Sequence, residues 1–130
     1  MLGFKIFSSH LTVHTGSSTW QEPHFHGGLI EHYLVLAGKI GFVKLSGDLD
    51  NPYGVEYGVM SFEDGPFTFL PDDEHNILIT PGAEFVTVQL YDPSRNRAPN
   101  PGRKGEDWWP ASEDFDALTT QCRNEVTKMF

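Results

Sequence analysis

The chain is predicted to be an all-β protein that ends in a single helix. Short runs rich in β-branched and aromatic residues recur along most of its 130 residues, and clusters of Gly, Pro, Asn and Asp separate them. Many short strands at nearly regular spacing are typical of a β-sandwich or β-barrel. Only the last part of the chain has apolar residues at spacings of three and four, which is the pattern of a helix.

Eight segments have the composition and alternation expected of strands. They cover residues 4–7, 10–14, 23–26, 31–37, 39–45, 68–70, 75–79 and 84–91. Turn residues occupy the junctions, at 47–48, 50–52, 64–66, 71–73 and 80–82. The acidic residues 72–74 overlap one of these turns, so we expect them to be exposed to solvent.

The two ends of the chain differ in character, although one domain is expected overall. Residues 1–92 are assigned to the barrel, and residues 93–130 hold a loop rich in Pro, Arg and Trp followed by a helix from about 112 to 129. Ser112 is a suitable N-cap for this helix. One face of the helix carries an apolar stripe: Phe115, Leu118, Cys122, Val126 and Met129. The stripe needs a cover, either its own barrel or a neighbouring subunit, and we expect a homodimer.

Composition excludes several classes of protein. No run of eighteen apolar residues exists, and the N-terminus lacks the pattern of a secretory signal. A single cysteine, Cys122, excludes an internal disulfide framework and a multi-cysteine zinc module, which favours a cytoplasmic protein. The net charge of −9 disfavours nucleic acid and anionic membrane surfaces as partners. A small-molecule substrate fits better.

Two histidines and a glutamate lie within eight residues of one another. His24 and His26 are two apart, so on a strand they project from the same face. Gly27 and Gly28 then allow the chain to turn back, and Glu31 opens the next apolar run. Neutral imidazoles and a carboxylate converging from adjacent strands are the ligands of a first-row divalent metal. A third histidine from a distant strand would complete such a site.

This spacing resembles the first motif of the cupin superfamily. His24 and His26 are followed after four residues by Glu31, and six residues then lead to Gly38. The second cupin motif is similar to the later segment that contains Gly65, Pro71 and His75, although here the segment from Pro71 to His75 is one residue shorter and lacks a glycine.

The resemblance implies a double-stranded β-helix, the jelly-roll barrel of small RmlC-like cupins. It also implies one divalent ion held by His24, His26, Glu31 and His75. The residues fit Fe, Mn, Ni, Zn or Cu, and do not choose among them.

Three functions remain open at this stage. The first is Lewis-acid catalysis of an isomerisation or related proton transfer on a sugar, sugar acid or keto-acid, since the motif segments are similar to cupin modules of sugar-phosphate isomerases. The second is an Fe(II)- or Cu(II)-dependent dioxygenase, and the third is a non-catalytic binding module. Tyr33, on the strand face of Glu31, and Gln89 with Tyr91, on the last strand, are the candidate catalytic residues.

Overall fold

A computed structural model of the chain describes residues 5–46, 54–71, 73–92, 100–103 and 113–130. The predicted N-cap Ser112 and the tryptophans of the loop lie outside these ranges. Within them the chain forms ten strands and one α-helix: β1 (Ile6–Val13), β2 (Thr19–Trp20), β3 (Phe25–Gly27), β4 (Leu29–Ala37), β5 (Ile40–Ser46), β6 (Gly54–Met60), β7 (Phe67–Phe69), β8 (Glu74–Ile79), β9 (Glu84–Tyr91), β10 (Asn100–Arg103) and α1 (Glu113–Thr127). A single 3₁₀ turn, Phe62–Asp64, precedes β7.

The strands form two four-stranded sheets whose pairs are all antiparallel. The first sheet has the order β1-β9-β4-β7, and the second has the order β2-β8-β5-β6. Strands β3 and β10 form a separate two-stranded pair. Most neighbours in a sheet are distant in sequence, which is the crossover topology of a jelly roll. The structure therefore confirms the predicted all-β barrel with one C-terminal helix.

The core lies between the two sheets and follows the period of two along each strand. On β4, the side chains of Glu31, Tyr33 and Val35 are buried, whereas the residues between them are less buried. Phe42 on β5 and Phe69 on β7 belong to the same apolar cluster. Glu31 is thus a carboxylate within an otherwise largely apolar inward row, between Leu29 and Tyr33.

The turn that joins β4 to β5 depends on Gly38. Its φ of 71° lies in the left-handed region, which side chains with a Cβ rarely adopt. A Cβ at this position would also lie 2.9 Å from the carbonyl oxygen of Gly82, in the turn between β8 and β9. The two turns therefore close this end of the barrel only because Gly38 has no side chain.

The helix packs on the outer face of the second sheet of its own chain. Cys122 and Val126 of α1 form a buried cluster with Val43 of β5 and Leu78 of β8. A Cβ on Gly41 would lie 2.5 Å from a methyl group of Val126, so the glycine makes room for the helix. The apolar stripe is therefore covered within one chain, which was the alternative to a second subunit.

The end of the stripe differs from its middle. Met129 is 50% exposed, and the side chain of Phe115 is outside the described part of the structure. No helix in the described ranges is long and apolar enough to cross a membrane.

Two expectations from the sequence need correction. The pattern predicts no strand over 54–60, yet β6 pairs along its whole length with β5, because tertiary pairing overrides the weak propensity of its two glycines. The expectation that the acidic residues 72–74 are exposed is also wrong for the two that the structure describes, since Asp73 and Glu74 are buried. An oxygen of Asp73 accepts a hydrogen bond from the backbone N–H of Leu70 at 2.7 Å, which holds the turn that precedes β8.

Candidate metal centre

Backbone pairing places His24 directly opposite His75. The N–H of His24 donates to the carbonyl of His75 at 3.0 Å, and the N–H of His75 donates to the carbonyl of His24 at 2.8 Å. The two imidazole rings consequently lie with their centroids 4.5 Å apart. A pair of residues 51 positions apart in the sequence is thereby fixed as cross-strand neighbours.

His26, on β3, completes a group of three imidazoles. Its ring lies 4.8 Å from that of His24 and 5.3 Å from that of His75, centroid to centroid. One nitrogen from each of the three rings lies within 4.8 Å of the others. His26 and His75 are buried and His24 is half-buried. The separation by two residues thus gives the same-face arrangement that the sequence predicts.

Glu31 brings a carboxylate from the first sheet to the imidazoles. Its Oε1 lies 2.9 Å from Nε2 of His75, and its Oε2 lies 3.3 Å from Nε2 of His26. Gln89 donates a hydrogen bond to Oε2 at 2.5 Å. Burial alone would raise the pKa of Glu31, but the hydrogen bonds and charges of the two histidines outweigh burial and hold that pKa below its usual range. Glu31 therefore remains ionised.

Two of the histidine rings are oriented by backbone carbonyls. Nδ1 of His24 lies 2.7 Å from the carbonyl oxygen of Glu22, and Nδ1 of His75 lies 3.1 Å from that of Asp73. His75 thus has an acceptor at each ring nitrogen, because Nε2 faces the Glu31 carboxylate. With Nδ1 oriented by the Asp73 carbonyl, Nε2 and the Glu31 carboxylate would be placed to share one metal cation.

The remaining nitrogens of the cluster also suit a metal ion. Nδ1 of His26 is buried and, among the described residues, has no hydrogen-bond partner. Burial, followed by the charge of His75, lowers the pKa of His24 to about 4, so its imidazole is neutral at neutral pH. A neutral imidazole beside an ionised carboxylate supplies ligand types that divalent transition metals take. The residues present therefore fit such an ion.

The three candidate catalytic residues are placed differently. Burial, followed by the charge of Glu31, raises the pKa of the Tyr33 hydroxyl well above its usual value. Gln89 contacts Glu31 as described above. Tyr91, in contrast, is 37% exposed, and its ring packs edge-on against Phe7 with a centroid separation of 5.6 Å. The structure brings Tyr33 and Gln89 to the cluster and leaves Tyr91 at the end of β9.

Two residues near His75 were not predicted from the sequence to belong to the site. The ring of Phe69 stacks on the His75 ring, with centroids 4.2 Å apart and planes 13° from parallel. Lys44 lies opposite His75 in the pairing of β5 with β8, and its ammonium is 3.2 Å from Glu56 and 3.9 Å from Asp73. Side chains alternate along β5, so Lys44 points inward like Phe42. This alternation could have predicted from the sequence that the lysine faces the interior.

A further contribution comes from the helix. Arg123 donates from Nε to the side-chain oxygen of Asn76 at 2.8 Å, and from Nη2 to the backbone carbonyl of Gln21 at 2.7 Å. Its guanidinium also lies 5.2 Å from the centre of the Trp20 ring. Asn76 follows His75, and Gln21 is three residues before His24. Arg123 therefore ties both histidine-bearing segments to α1.

The two four-stranded antiparallel sheets, with a histidine cluster on β3, beside β3 and on β8, form a cupin-like β-barrel. The resemblance suggested by the sequence motifs is thus confirmed at the level of fold. No known family profile matches the sequence, and no curated protein matches it significantly.

Solved structures show partial similarity. The dTDP-6-deoxy-D-glucose-3,5-epimerase RmlC of Legionella pneumophila, in complex with dTDP-4-keto-L-rhamnose, aligns at 14% identity with a TM-score of 0.48, over 70% of this chain and 50% of the epimerase. The capsular polysaccharide assembling protein CapF of Staphylococcus aureus aligns at 14% identity and a TM-score of 0.48, over 73% of this chain and 31% of CapF. The chain thus spans half of the first protein and about a third of the second.

Proposed function

We propose that His24, His26, Glu31 and His75 bind one divalent transition-metal ion. We further propose that the protein acts on a small oxygenated metabolite, such as a sugar, sugar acid or keto-acid, by an isomerisation or related proton transfer. The observation that supports the proposal is the group of three imidazoles whose ligand atoms lie within 4.8 Å of one another, two of them buried. Glu31 adds an anionic oxygen 2.9 Å from the Nε2 of His75.

The surrounding side chains suit such a reaction. A bound divalent ion would supply Lewis-acid stabilisation of negative charge that develops on a substrate oxygen. Tyr33 keeps its hydroxyl proton at neutral pH, so it can donate a hydrogen bond or a proton beside Glu31. Gln89 and the two histidines hold the carboxylate in one orientation. Phe69 covers one face of the His75 ring and limits the access of water.

Elemental analysis tests the metal site directly. We expect about one divalent ion per chain in the intact protein. In His26→Ala the metal content is expected to fall at least tenfold, because the three ligands that remain bind the ion far more weakly than four. His32→Ala is the matched control, since His32 lies on the opposite face of β4 and bonds to Thr68 at 2.8 Å. Equal and negligible metal in the intact protein and in His26→Ala would refute the site.

The identity of the metal separates the two enzymatic classes. An isomerase of this kind is expected to turn over without O₂ and to retain activity with Zn(II), which has no redox chemistry. A dioxygenase consumes O₂ and fails with Zn(II). An oxygen electrode and anaerobic product analysis, with sugars, sugar acids and keto-acids as substrates, distinguish these outcomes. Inactivity under every condition would instead favour a binding module.

A second candidate is favoured by the hydrogen bond between His75 and Glu31. A histidine paired with a carboxylate at 2.9 Å, with a protonated tyrosine on the same carboxylate, is an acid–base arrangement that can exchange a proton next to a carbonyl without a metal. Exchange of substrate C–H for C–D in D₂O by chelator-treated protein would favour this candidate. Loss of exchange on chelation and recovery with added metal would favour the first.

A further inference from the structure

The outer face of the first sheet is apolar, and we refer to it as the open face. It is made of side chains that alternate with the buried row on three adjacent strands. Its principal members are Ile6, Leu11 and Val13 on β1, Leu34 on β4, and Val86 and Val88 on β9. Their mutual register joins them into one patch, since Leu11 and Leu34 both pair with Val86. Ile6, Leu11 and Val13 are each more than half exposed.

The open face also differs from the rest of the protein in charge. The chain carries a net charge of −9, yet among the described residues that point outward from these three strands only Glu84 is acidic. Glu84 lies at the end of β9, where it pairs with Val13 at the rim of the patch. Large exposed apolar patches of this kind on soluble proteins usually mark an interaction surface.

One edge of the open face has unpaired backbone. The first sheet ends at β1, whose only described neighbour is β9. An eight-residue edge strand with exposed apolar side chains favours association unless another chain or segment covers it. Lysine, proline and glycine, the residues that commonly block such an edge, do not occur between Ile6 and Val13.

We propose that the open face is the interface between two copies of this chain, related by a two-fold axis. An uncharged apolar patch is complementary to itself, so the same residues meet from both copies. Each copy carries a net charge of −9, and two acidic molecules repel one another least where their charges are absent. A basic partner would be attracted to the acidic surfaces instead, because the open face has almost no charge to offer it. The second copy is therefore the occupant that the face fits best.

Light scattering coupled to size exclusion tests this interface on the full chain. The intact protein is expected to have the mass of a dimer. Leu11→Asp is expected to weaken the dimer at least a hundredfold, because it places two carboxylates in an apolar contact, and Leu11→Ser is a milder version of the same change. Val55→Asp is the matched control, since Val55 is also an exposed strand residue but lies on β6 of the second sheet. Circular dichroism checks that each variant is folded.

A monomeric intact protein, or a dimer unaffected by Leu11→Asp, would overturn the proposal. Labelling of Leu11→Cys then identifies the cover, because the native Cys122 is buried and reacts slowly. A monomer whose Cys at position 11 is protected indicates that another segment of the same chain covers the face, and rapid labelling indicates that nothing does. The dimer is expected to persist in His26→Ala, so failure of the metal site and failure of the interface are distinguishable.

Discussion

The two sheets of the barrel contribute similar inner faces and have very different outer ones. Val43 and Leu78, on the outer face of the second sheet, are buried under Cys122 and Val126 of α1. The outer face of the first sheet is also apolar, but in the described part of the chain no helix lies over it. A strand with apolar residues on both faces requires a cover on each. The comparison shows that α1 covers the outer face of the second sheet, whereas none of the described residues forms a helix over the outer face of the first.

The largest expected effect concerns the fit of the helix. Gly41→Ala is expected to lower the free energy of unfolding by about 1–3 kcal/mol, because the new Cβ would lie 2.5 Å from a Val126 methyl group. Gly58→Ala is the matched control, since a Cβ there meets the Phe42 ring at an ordinary 3.4 Å. Urea denaturation of both variants measures the difference. Equal stabilities would show that α1 does not pack as tightly on this sheet as the contact indicates.

A somewhat smaller effect is expected from the link between helix and site. Arg123→Ala removes two hydrogen bonds and leaves the Asn76 side-chain oxygen without its donor, which costs about 1–2 kcal/mol of stability. It is also expected to weaken metal binding, since Asn76 and Gln21 neighbour the histidines. Calorimetric titration with Zn(II) measures the affinity. Unchanged affinity in a destabilised variant would mean that Arg123 holds the helix without positioning the site.

The smallest effect is expected at the end of the apolar stripe, two residues beyond the end of α1. Met129 is 50% exposed, so Met129→Ala is expected to change the free energy of unfolding by about 0.5 kcal/mol or less. Val126→Ala, one turn earlier and fully buried, is the matched comparison, with an expected loss of about 1–3 kcal/mol. Thermal or urea denaturation separates the two. Similar losses would show that the whole stripe, and not only its middle, is covered.

Much of the fold could be predicted because local patterns agree with it. The alternation on β4 sets which residues face inward, and Gly28, with a φ of 83°, makes the turn between β3 and β4 that the two glycines indicate. The juxtaposition of His24, His26 and Glu31 follows from the same two facts. Their role as metal ligands stays a prediction.

The rest depends on contacts between segments that are far apart in sequence. Phe69 and Lys44 reach His75 only through the pairing of β4 with β7 and of β5 with β8. Arg123 contacts Gln21 across 102 positions, and no local pattern encodes that distance. The sequence does not predict the burial of Asp73 and Glu74, because acidic turns are usually exposed to solvent. Here the two residues lie at the start of β8, which is buried along most of its length.

The hydrogen bond between Ser8 and Gln89 has a consequence for how the protein acquires its site. The Ser8 hydroxyl donates to the Gln89 side chain at 2.6 Å, and Gln89 in turn donates to Glu31. The two residues are 81 positions apart, so this support for Gln89 exists only once β1 and β9 have paired. Loop closure over such distances makes folding slow, in the range of milliseconds to seconds for β topologies. A chain synthesised only as far as His75 therefore carries all three histidines but lacks Gln89, the residue that donates to the Glu31 carboxylate.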